Sequence, residues 1–412
     1  MFIFDYFCTL IIILTYLLYI DNIMHLINLN FESVELITIY TILGVCLLTQ
    51  FVFYLGYYYR LARKTKFKEI SNNNYPPISI IICTENQLSA LQRNLPIILD
   101  LDYPNYEVIV VDMNSEDESA TYLEYMTTQH KNLYCSFTTK DARIISHRKL
   151  AQTIGIKASK HEWLVFTEPD CQPISNKWLK EIAAKMEEKT AIVLGYSRYE
   201  KIKGRLNQFI AYDNILTSMR YLGFALANQP YTGIGKNLAY KKELFFTKKA
   251  YINQLNLQRG EDELFINTNA NRTNTSVVST PESVIEMDTL ESRKAWRIRK
   301  LMHLTSAARY TGTKHYWHGF DSFTRIVLYT LGTVICVLAL LSHQWSIAGV
   351  ICGGLLIQWL LQVVVTNTVS KRLGDGHRYY LSILKYNFTI PLYTFILKFR
   401  LPKRKRGDIL KY

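Results

Sequence analysis

Two acidic side chains follow a short apolar stretch near the middle of the chain. The run from Trp163 to Thr167 predicts a buried β-strand, and Glu168-Pro169-Asp170 comes directly after it. A hard divalent cation such as Mg²⁺ takes oxygen ligands, usually one or two carboxylates together with substrate phosphates. Ligands of open α/β sheets collect beyond the carboxyl ends of the strands. The triplet therefore suits a metal and phosphate site, but most such triplets are solvated turns, and the rest of the chain has to decide between the two.

Three further stretches have residue types that could do chemistry. Asp112 ends a second apolar run, a glycine-punctuated loop extends from Gly233 to Asn237, and Glu261-Asp262-Glu263 opens a predicted helix. A positioned carboxylate can act as a general base, but an acidic first turn also simply complements the helix dipole. The glycine loop lets a backbone approach a ligand closely, or is an ordinary turn. It is not GxGxxG, so no dinucleotide fingerprint is predicted.

The elements that must position these residues alternate between strand and helix from Asn72 to about Thr313. Alternation of this kind favours right-handed βαβ units and a mainly parallel sheet. The fold class predicted for this region is therefore α/β. The predicted strands are Ile78 to Cys83, Tyr106 to Asp112, Leu133 to Thr138 and Trp163 to Thr167, and the predicted helices are Leu88 to Leu101, Glu116 to Gln129 and His147 to Ser159.

Charge is unevenly distributed along the 412 residues. The formal net charge of +14 favours an anionic partner such as a nucleic acid, a membrane surface or a phosphorylated substrate. There is no Lys or Arg from Met1 to Tyr59, nor from Ile326 to Ser370. The seven cysteines are scattered without zinc spacing, so we expect them to be reduced and not to bind metal.

The two stretches without Lys or Arg predict membrane spans, since a bilayer needs about 20 apolar residues. Four are predicted: Phe2 to Ile20, Leu36 to Tyr59, Phe323 to Leu341 and Ile347 to Thr368. A signal peptide is the alternative for the first, but it should begin with basic residues. The tail from Tyr379 to Phe399 predicts an interfacial amphipathic segment, with a fifth span as the alternative.

Basic residues place the middle of the chain on the cytoplasmic side. Five of them follow the second predicted span, and by the positive-inside rule what comes next is cytoplasmic. The predicted domains are thus a membrane region over 1–70, a soluble α/β domain over 71–313 and a membrane hairpin with a basic tail over 314–412. The five residues are Arg60, Arg63, Lys64, Lys66 and Lys68.

The order of these motifs resembles that of the family 2 glycosyltransferases, inverting GT-A enzymes that include membrane-bound polysaccharide synthases. The resemblance covers roughly Pro76 to Tyr310, together with the flanking membrane segments. Each motif is weak alone, but six in this order are specific. They are SIIIC at Ser79 to Cys83, DYPNYEVIVVD at Asp102 to Asp112, RKLAQTIGIKAS at Arg148 to Ser159, EPDCQP at Glu168 to Pro173, GIGKNLAY at Gly233 to Tyr240 and GEDELF at Gly260 to Phe265.

The resemblance implies a Rossmann-like GT-A domain and a set of catalytic and donor-binding residues. The catalytic base falls on Asp262, next to Glu261, and the metal position on Asp170, with Glu168 in place of the usual aspartate. Mg²⁺ or Mn²⁺ is the implied cofactor. Met113 departs from the family, which often has an acid there beside the nucleobase. The implied donor-binding residues are Thr84, Glu85, Asp112, Lys149, Glu168 and Asp170.

The glycine loop and the basic stretch after the base are implied to contact the acceptor or the diphosphate. Processive relatives have Gln-x-x-Arg-Trp in that stretch, and this chain lacks it. A basic helix lying on the membrane surface is the alternative for the stretch, and helix solvation is the alternative for Lys149. The residues concerned are Gly233, Gly235, Asn237, Trp296, Arg299, Lys300 and His303.

The sequence therefore predicts an integral membrane glycosyltransferase, in a bacterial inner membrane, with its GT-A domain in the cytoplasm. We expect transfer of a sugar with inversion from a nucleotide-diphosphate sugar to a lipid-linked or saccharide acceptor. Membrane lipids are the other expected partners, and nucleic acid is not expected. A processive polysaccharide synthase and a non-catalytic membrane module that binds nucleotide sugars are the alternatives.

Overall fold

The centre of the fold is a sheet built from the apolar runs that the sequence predicts as strands. The computed structural model describes residues 33–63, 75–138, 146–247, 251, 257 and 259–399, so the first predicted span lies outside the described residues. Strands β1 (Ile78–Thr84), β2 (Tyr106–Asp112) and β4 (Trp163–Thr167) are buried along almost their whole length. Continuous Val and Ile runs suit strands that are covered on both faces.

The register of these strands aligns their carboxyl ends. β1 pairs in parallel with both β2 and β4, with Thr84 opposite Asp112 and Ile82 opposite Thr167. The residues that follow β4 and the end of β2 therefore share one edge of the sheet, as the sequence predicts.

The complete sheet has seven strands in the order β3-β2-β1-β4-β8-β6-β9. β8 is antiparallel to both of its neighbours, whereas the other pairs are parallel. The sheet is thus mainly parallel, as predicted, with one reversed strand. The added strands are β3 (Leu133–Phe137), β6 (Ile192–Leu194), β8 (Leu238–Lys241) and β9 (Thr275–Val277).

A smaller sheet and a set of helices complete the domain. The smaller sheet has the order β5-β10-β7, with β5 Cys171–Pro173, β7 Ser197–Tyr199 and β10 Ile285–Met287. The helices are α2 (Leu88–Leu99), α3 (Ser119–Gln129), α4 (His147–Ala158), α5 (Trp178–Ala183), α6 (Arg205–Leu226), α7 (Lys242–Thr247), α8 (Glu261–Asn269) and α9 (Arg293–Ala307).

Helix α4 lies unusually close to the sheet because Gly155 faces it. A Cβ at Gly155 would come within 2.8 Å of Ile81 Cγ2. This contact fixes the helix over β1 and β2, and the first turns of α4 then reach the edge where the strands end. Arg148 and Gln152 belong to those turns.

Three segments of the described chain are long and apolar enough to cross a membrane: Ile37–Ala62, Gly319–Leu341 and Trp345–Arg372. They correspond to the second, third and fourth predicted spans. The helices concerned are α1 (Ser33–Phe51), which continues through a π-helical turn and a 3₁₀ turn to Ala62, α10 (Lys314–Leu341) and α11 (Trp345–Arg372). Helix α12 (Leu381–Phe399) is not one of the three, and its interfacial position stays a prediction.

A buried polar cluster joins helices α6 and α10. Asp321 of α10 is fully buried and accepts hydrogen bonds from Arg220 of α6 at 2.9 Å and from Arg325 at 2.7 Å. Gln50 donates to the backbone oxygen of Asp321 at 3.0 Å. A buried charge is tolerated when it is paired and hydrogen-bonded. The cluster therefore fixes how α6 packs against α10.

Candidate active site

Glu168 and Asp170 lie just beyond the end of β4, and cations contact both of them. Lys236 Nζ lies 2.7 and 2.8 Å from the two carboxylate oxygens of Asp170 and 3.0 Å from Glu168 Oε2. Arg148 pairs with the other oxygen of Glu168 at 2.5 Å. The Arg299 guanidinium approaches Asp170 to 3.9 Å. The first acidic pair is thus enclosed by three positive charges.

These charges keep Glu168 ionised. Burial by itself would raise the pKa of the carboxyl, but Lys236 and Arg148 hold the pKa of Glu168 well below its usual range. An opposite charge within about 4–6 Å favours the charged form of an acid. Glu168 therefore carries a negative charge throughout the physiological pH range.

Asp262 lies in the first turn of α8 and directly over the glycine loop. A Cβ at Gly235 would lie only 1.8 Å from Asp262 Oδ2, so the carboxylate occupies the space that a side chain at position 235 would need. Gln152 Nε2 of α4 donates to Asp262 Oδ1 at 3.0 Å. Gly260, which caps the helix, has a φ of +95°, a conformation that favours glycine. Two glycines and one amide therefore position this carboxylate.

The protonation behaviour of Asp262 is the reverse of that of Glu168. Burial and the adjacent Glu261 charge raise the pKa of Asp262 to about 7, against the opposing effect of Arg148. A general base works best when its pKa lies near the operating pH. Asp262 is thus suited to accept and release a proton.

Glu261 is buried beside Asp262 and pairs with Arg148 through Oε1. Its Oε2 atom is buried and has no hydrogen-bond partner among the described residues. Arg148 therefore bridges the two acidic pairs, because it contacts Glu168 and Glu261 at once.

The loop from Gly233 to Asn237 is fixed by contacts on both sides of Lys236. A Cβ at Gly233 would come within 2.8 Å of Leu194 Cδ2. Asn237 is buried; it accepts from Trp178 Nε1 at 3.1 Å and donates to the backbone oxygens of Tyr196 and Ser283 at 2.8 and 2.9 Å. The polar groups of Asn237 are therefore turned into the fold.

Helix α9 carries the basic stretch predicted to contact the diphosphate or the acceptor. Trp296 Nε1 donates to Asp213 at 3.0 Å, and Lys300 Nζ pairs with the same carboxylate at 2.6 Å. Arg299 donates to the Tyr199 hydroxyl at 2.7 Å. These contacts orient the helix so that its basic face is turned towards the acidic edge of the sheet.

His303 lies one turn further along α9 and contacts Glu263. The other carboxylate oxygen of Glu263 accepts a hydrogen bond from the Tyr310 hydroxyl at 2.9 Å. Glu263, the third acid of the cluster at the start of α8, thus serves to join α8 to the end of α9.

One cavity of about 1370 Å³ connects these groups. It begins at the carboxylates of both acidic pairs and continues to the apolar faces of α10 and α12. Most of the residues predicted from the sequence line it. Those that do are Glu85, Glu168, Asp170, Gly235, Glu261, Asp262, Trp296, Arg299, Lys300 and His303.

Five predicted residues do not line the cavity: Thr84, Asp112, Lys149, Gly233 and Asn237. Asp112 is buried, and its carboxylate accepts from the backbone N–H of Ser115 at 3.0 Å and from the Ser115 hydroxyl. The Lys149 ammonium donates to the backbone oxygen of Leu257 at 2.5 Å, and burial lowers the pKa of Lys149 to about 8. Thr84 is fully buried. Their predicted roles in donor binding remain predictions.

The sequence reasoning did not single out Arg148, Gln152, Lys236 or Arg259, which the fold brings to this site. The cavity is lined by Arg148, Lys236 and Arg259. Gln152 does not line it, but donates a hydrogen bond to Asp262. Three of the four lie within the motifs, as the first residue of RKLAQ, its fifth residue and the lysine of GIGKN, and Arg259 directly precedes GEDELF. The sequence feature that could have identified Lys236 is its position as a basic residue inside the glycine loop, between Gly235 and Asn237.

The predicted metal position can be tested against the donor atoms. The described part of the chain contains no group of three or more His, Cys, Asp or Glu side chains arranged to hold a metal ion. The oxygens of Glu168 and Asp170 that would bind a cation together already contact the Lys236 ammonium. The side chains in this arrangement therefore do not fit a divalent cation between the two carboxylates.

Comparisons with known proteins agree with the fold and the class of enzyme. Residues 79–246 match the family model for glycosyl transferase family 2. Glycosyltransferase AglE of Haloferax volcanii is 31% identical over 107 residues, which are 26% of this chain and 34% of that protein. The chain thus aligns with about a third of the length of that curated relative.

Among solved structures, the mannosyltransferase PcManGT from Pyrobaculum calidifontis, in complex with GDP-Man and Mn²⁺, is similar with a TM-score of 0.53 and 16% identity. The match covers 88% of this chain and 98% of that one. S. aureus TarS 1-349 in complex with UDP-GlcNAc gives a TM-score of 0.41 and 17% identity, over 73% of this chain and 89% of that one. At 16% identity the first similarity shows the fold alone, which is GT-A-like.

Proposed function

Because the chain carries a glycosyltransferase family 2 domain, we propose that it transfers a sugar with inversion from a nucleotide-diphosphate sugar to an acceptor anchored in the membrane. The observation that carries this proposal is a cavity that is lined both by Asp262 and by residues of α10 and α12. A catalytic carboxylate and a membrane-facing surface in one cavity suit an acceptor whose reacting hydroxyl and lipid anchor occupy these two parts.

In the proposed reaction Asp262 acts as the base. The acceptor hydroxyl oxygen attacks the anomeric carbon and forms the new C–O bond, while the bond from that carbon to the diphosphate oxygen breaks. The hydroxyl proton passes to Asp262, and the electron pair of the broken bond leaves with the nucleoside diphosphate. Attack opposite the leaving group inverts the anomeric centre. The pKa of Asp262, about 7, suits this proton transfer.

Positive charges near the sheet edge support the departure of the diphosphate. Arg259 and Arg299 both line the cavity on the side of Glu168 and Asp170. Arginine forms strong paired hydrogen bonds with phosphate oxygens. The sequence-based prediction of Mg²⁺ or Mn²⁺ for the same task competes with Lys236, whose ammonium already contacts both predicted ligands.

The part of the cavity that α10 and α12 line supports an acceptor linked to lipid rather than a free saccharide. Phe323 and Ile326 of α10 and Phe395 of α12 line this part, and Phe323 and Phe395 are 60% and 58% exposed. Phe323 and Ile326 belong to the segment long and apolar enough to cross a membrane. Exposed apolar side chains in such a segment suit contact with an acyl or isoprenoid chain.

We place the catalytic domain on the cytoplasmic side of the membrane, in a bacterial inner membrane. Three membrane-length segments and the basic residues that begin at Arg60 support this orientation. A reporter fused after Lys68 should therefore be cytoplasmic, and one in the Asp21 to Glu35 loop should lie on the opposite side. The reverse pattern would overturn the placement.

Release of nucleoside diphosphate from a panel of nucleotide sugars tests the activity. Membranes containing the parent should turn over one donor when a lipid acceptor is supplied, whereas Asp262→Asn should lose at least about 10²-fold, the lower range for a general base. Product size separates single addition from the processive alternative. Nucleotide binding without turnover on every donor would instead favour the non-catalytic module.

A matched pair of phenylalanines on α10 tests the lipid acceptor. Phe323 lines the cavity, whereas Phe320, which is also exposed, does not. We expect Phe323→Ala to raise KM for a lipid-linked acceptor about tenfold, as expected for the loss of 1–2 kcal/mol of apolar contact, and Phe320→Ala to leave it unchanged. Equal effects of both changes, or an equal effect of Phe323→Ala on a short water-soluble acceptor, would contradict the lipid-linked acceptor.

A further inference from the structure

The ammonium group of Lys236 occupies the point between two carboxylates where the sequence predicts a metal ion. Its Nζ lies within 2.7–3.0 Å of three oxygens, two from Asp170 and one from Glu168. A lysine ammonium has three N–H donors and no acceptor, so these three oxygens match its donors one to one.

A divalent cation and this ammonium exclude each other at that point. Mg²⁺ binds oxygen ligands at about 2.0–2.1 Å, so an ion bridging Glu168 and Asp170 would need the space that Nζ fills. The two positive charges would also repel strongly at such a distance. One or the other can hold the pair of carboxylates, but not both.

The chain fixes Lys236 at this point from both sides. The neighbouring Gly235 lies under the Asp262 carboxylate, where a Cβ would clash at 1.8 Å. The other neighbour, Asn237, makes three side-chain hydrogen bonds inside the fold. Only 8% of the Lys236 side chain is exposed. The lysine is therefore built into the site and is not a surface side chain that happens to reach it.

Further positive charge lies next to this ammonium, on the wall of the same cavity. Arg299 approaches Asp170 to 3.9 Å, and Arg259 lines the cavity as well. Arg148 is shared between Glu168 and Glu261. The two carboxylates are thus more than neutralised, and the remaining positive charge can face a diphosphate.

We propose that Lys236 takes the place of the divalent cation in this chain: its ammonium neutralises Glu168 and Asp170, and Arg259 and Arg299 bind the diphosphate of the donor without a metal ion. This inference rests on the proposed function, because it assigns the charge that receives the leaving diphosphate. It distinguishes the chain from the solved relative in complex with GDP-Man and Mn²⁺.

Binding of Mn²⁺ alone, followed by electron paramagnetic resonance on the full chain in detergent, tests the position of Lys236. The parent should hold no stoichiometric Mn²⁺. Lys236→Met should open a stoichiometric site, and the double change Lys236→Met, Asp170→Asn should lose it again. Lys236→Arg keeps the charge, serves as the matched control and should bind no Mn²⁺.

The inference would be overturned if the parent bound stoichiometric Mn²⁺ and the Asp170→Asn variant did not. A folded Lys236→Met variant that gains no Mn²⁺ would overturn it too, because the ammonium would then not be what excludes the ion. Circular dichroism establishes that each variant is folded, and Lys236→Gln replaces Lys236→Met if the latter does not fold.

Titration with UDP and GDP, in EDTA and in Mn²⁺, tests whether the diphosphate binds without a metal ion. The parent should bind one of them with affinities that agree within about twofold in the two buffers. Lys236→Met should lose at least about tenfold in EDTA, because the carboxylates of Glu168 and Asp170 would then repel the diphosphate. Binding by the parent in Mn²⁺ only would overturn the inference and leave the proposed function standing. Binding of neither nucleotide in either buffer would contradict the proposed function, while the Mn²⁺ experiment would still decide the position of Lys236.

Discussion

The two acidic pairs at the edge of the sheet have similar residue types and opposite surroundings. Glu168 and Asp170 are enclosed by Lys236, Arg148 and Arg299, and the pKa of Glu168 lies well below its usual range because these charges outweigh burial. Asp262 has an amide as its hydrogen-bond donor and another acid as its neighbour, and burial raises its pKa to about 7.

This difference shows how one site can contain both a permanently ionised acid, Glu168, and an acid that exchanges a proton near neutral pH, Asp262. In the first pair Glu168 stays ionised, and both carboxylates contact the cations that are proposed to order the diphosphate site. The second pair contains the residue that can gain and lose a proton near neutral pH. Environments that push the pKa values of neighbouring acids apart are a means of dividing such roles between them.

Removing the charge of the first pair should have the largest effect on stability. Glu168→Gln leaves Lys236 and Arg148 without a shared counter-charge, and breaking a buried ion pair typically costs about 3–5 kcal/mol. Because the pKa of Glu168 is depressed in the folded state, its contribution is present above about pH 4.5 and is lost as the pH falls through the folded pKa. Thermal unfolding of the full chain in detergent at pH 8 measures the loss of stability. A series from pH 5 downwards should show the difference between variant and parent shrink as the pH falls.

Glu162→Gln is the matched control for that change. Glu162 is 61% exposed and pairs with Lys241 at 3.3 Å. A surface pair contributes only about 0–1 kcal/mol, so the control should unfold close to the parent. Equal loss of stability in both variants would mean that the cations around Glu168 are not a buried network.

Disturbing the position of the second pair should mainly lower activity. Gly235→Ala places a Cβ where Asp262 Oδ2 lies, and a small displacement of a catalytic group can cost about 10²-fold in rate. We expect kcat to fall by about that factor while nucleotide binding is kept. Gly353→Ala, in a helical position with nothing within 4 Å of the added Cβ, is the control and should keep its rate. Unchanged turnover in Gly235→Ala would show that Asp262 is not held by this contact.

Removing the proton-binding group of the second pair should stabilise the protein. The pKa of Asp262 is raised in the folded state, so the parent loses stability as the pH rises from about 4 to about 7, whereas Asp262→Asn does not. At pH 8 we expect the variant to be more stable by about 1–3 kcal/mol, and at pH 4 the two should unfold alike. A variant less stable than the parent at pH 8 would contradict the raised pKa.

Local sequence signals were sufficient for the elements that form the edge of the sheet. β2 and β4 have the predicted bounds because continuous Val, Ile, Leu and Phe runs leave little choice of strand position. The three membrane-length segments follow in the same way from uninterrupted apolar composition. The reversed strand β8 was not predicted, since four residues give no signal about which neighbour they will pair with.

The pairing of charges at the site could not be predicted locally. Arg148 and Lys149 are adjacent in sequence, but they point in different directions on α4: Arg148 reaches both acidic pairs, and Lys149 is buried against the backbone of Leu257. Lys236 meets Asp170 across 66 positions of sequence. Only the packing of α4 and the glycine loop on the sheet decides which cation contacts which acid.

The pH dependence of the transfer rate, at saturating donor and acceptor, tests the central claim that Asp262 is the proton acceptor with a pKa near neutrality. The account predicts a rate that rises about tenfold per pH unit up to a midpoint near pH 7 and is level above it. In Gln152→Ala the midpoint should move to higher pH, because the hydrogen bond from Gln152 lowers the pKa of Asp262. A rate that is constant from pH 5.5 to pH 8.5 would contradict the account.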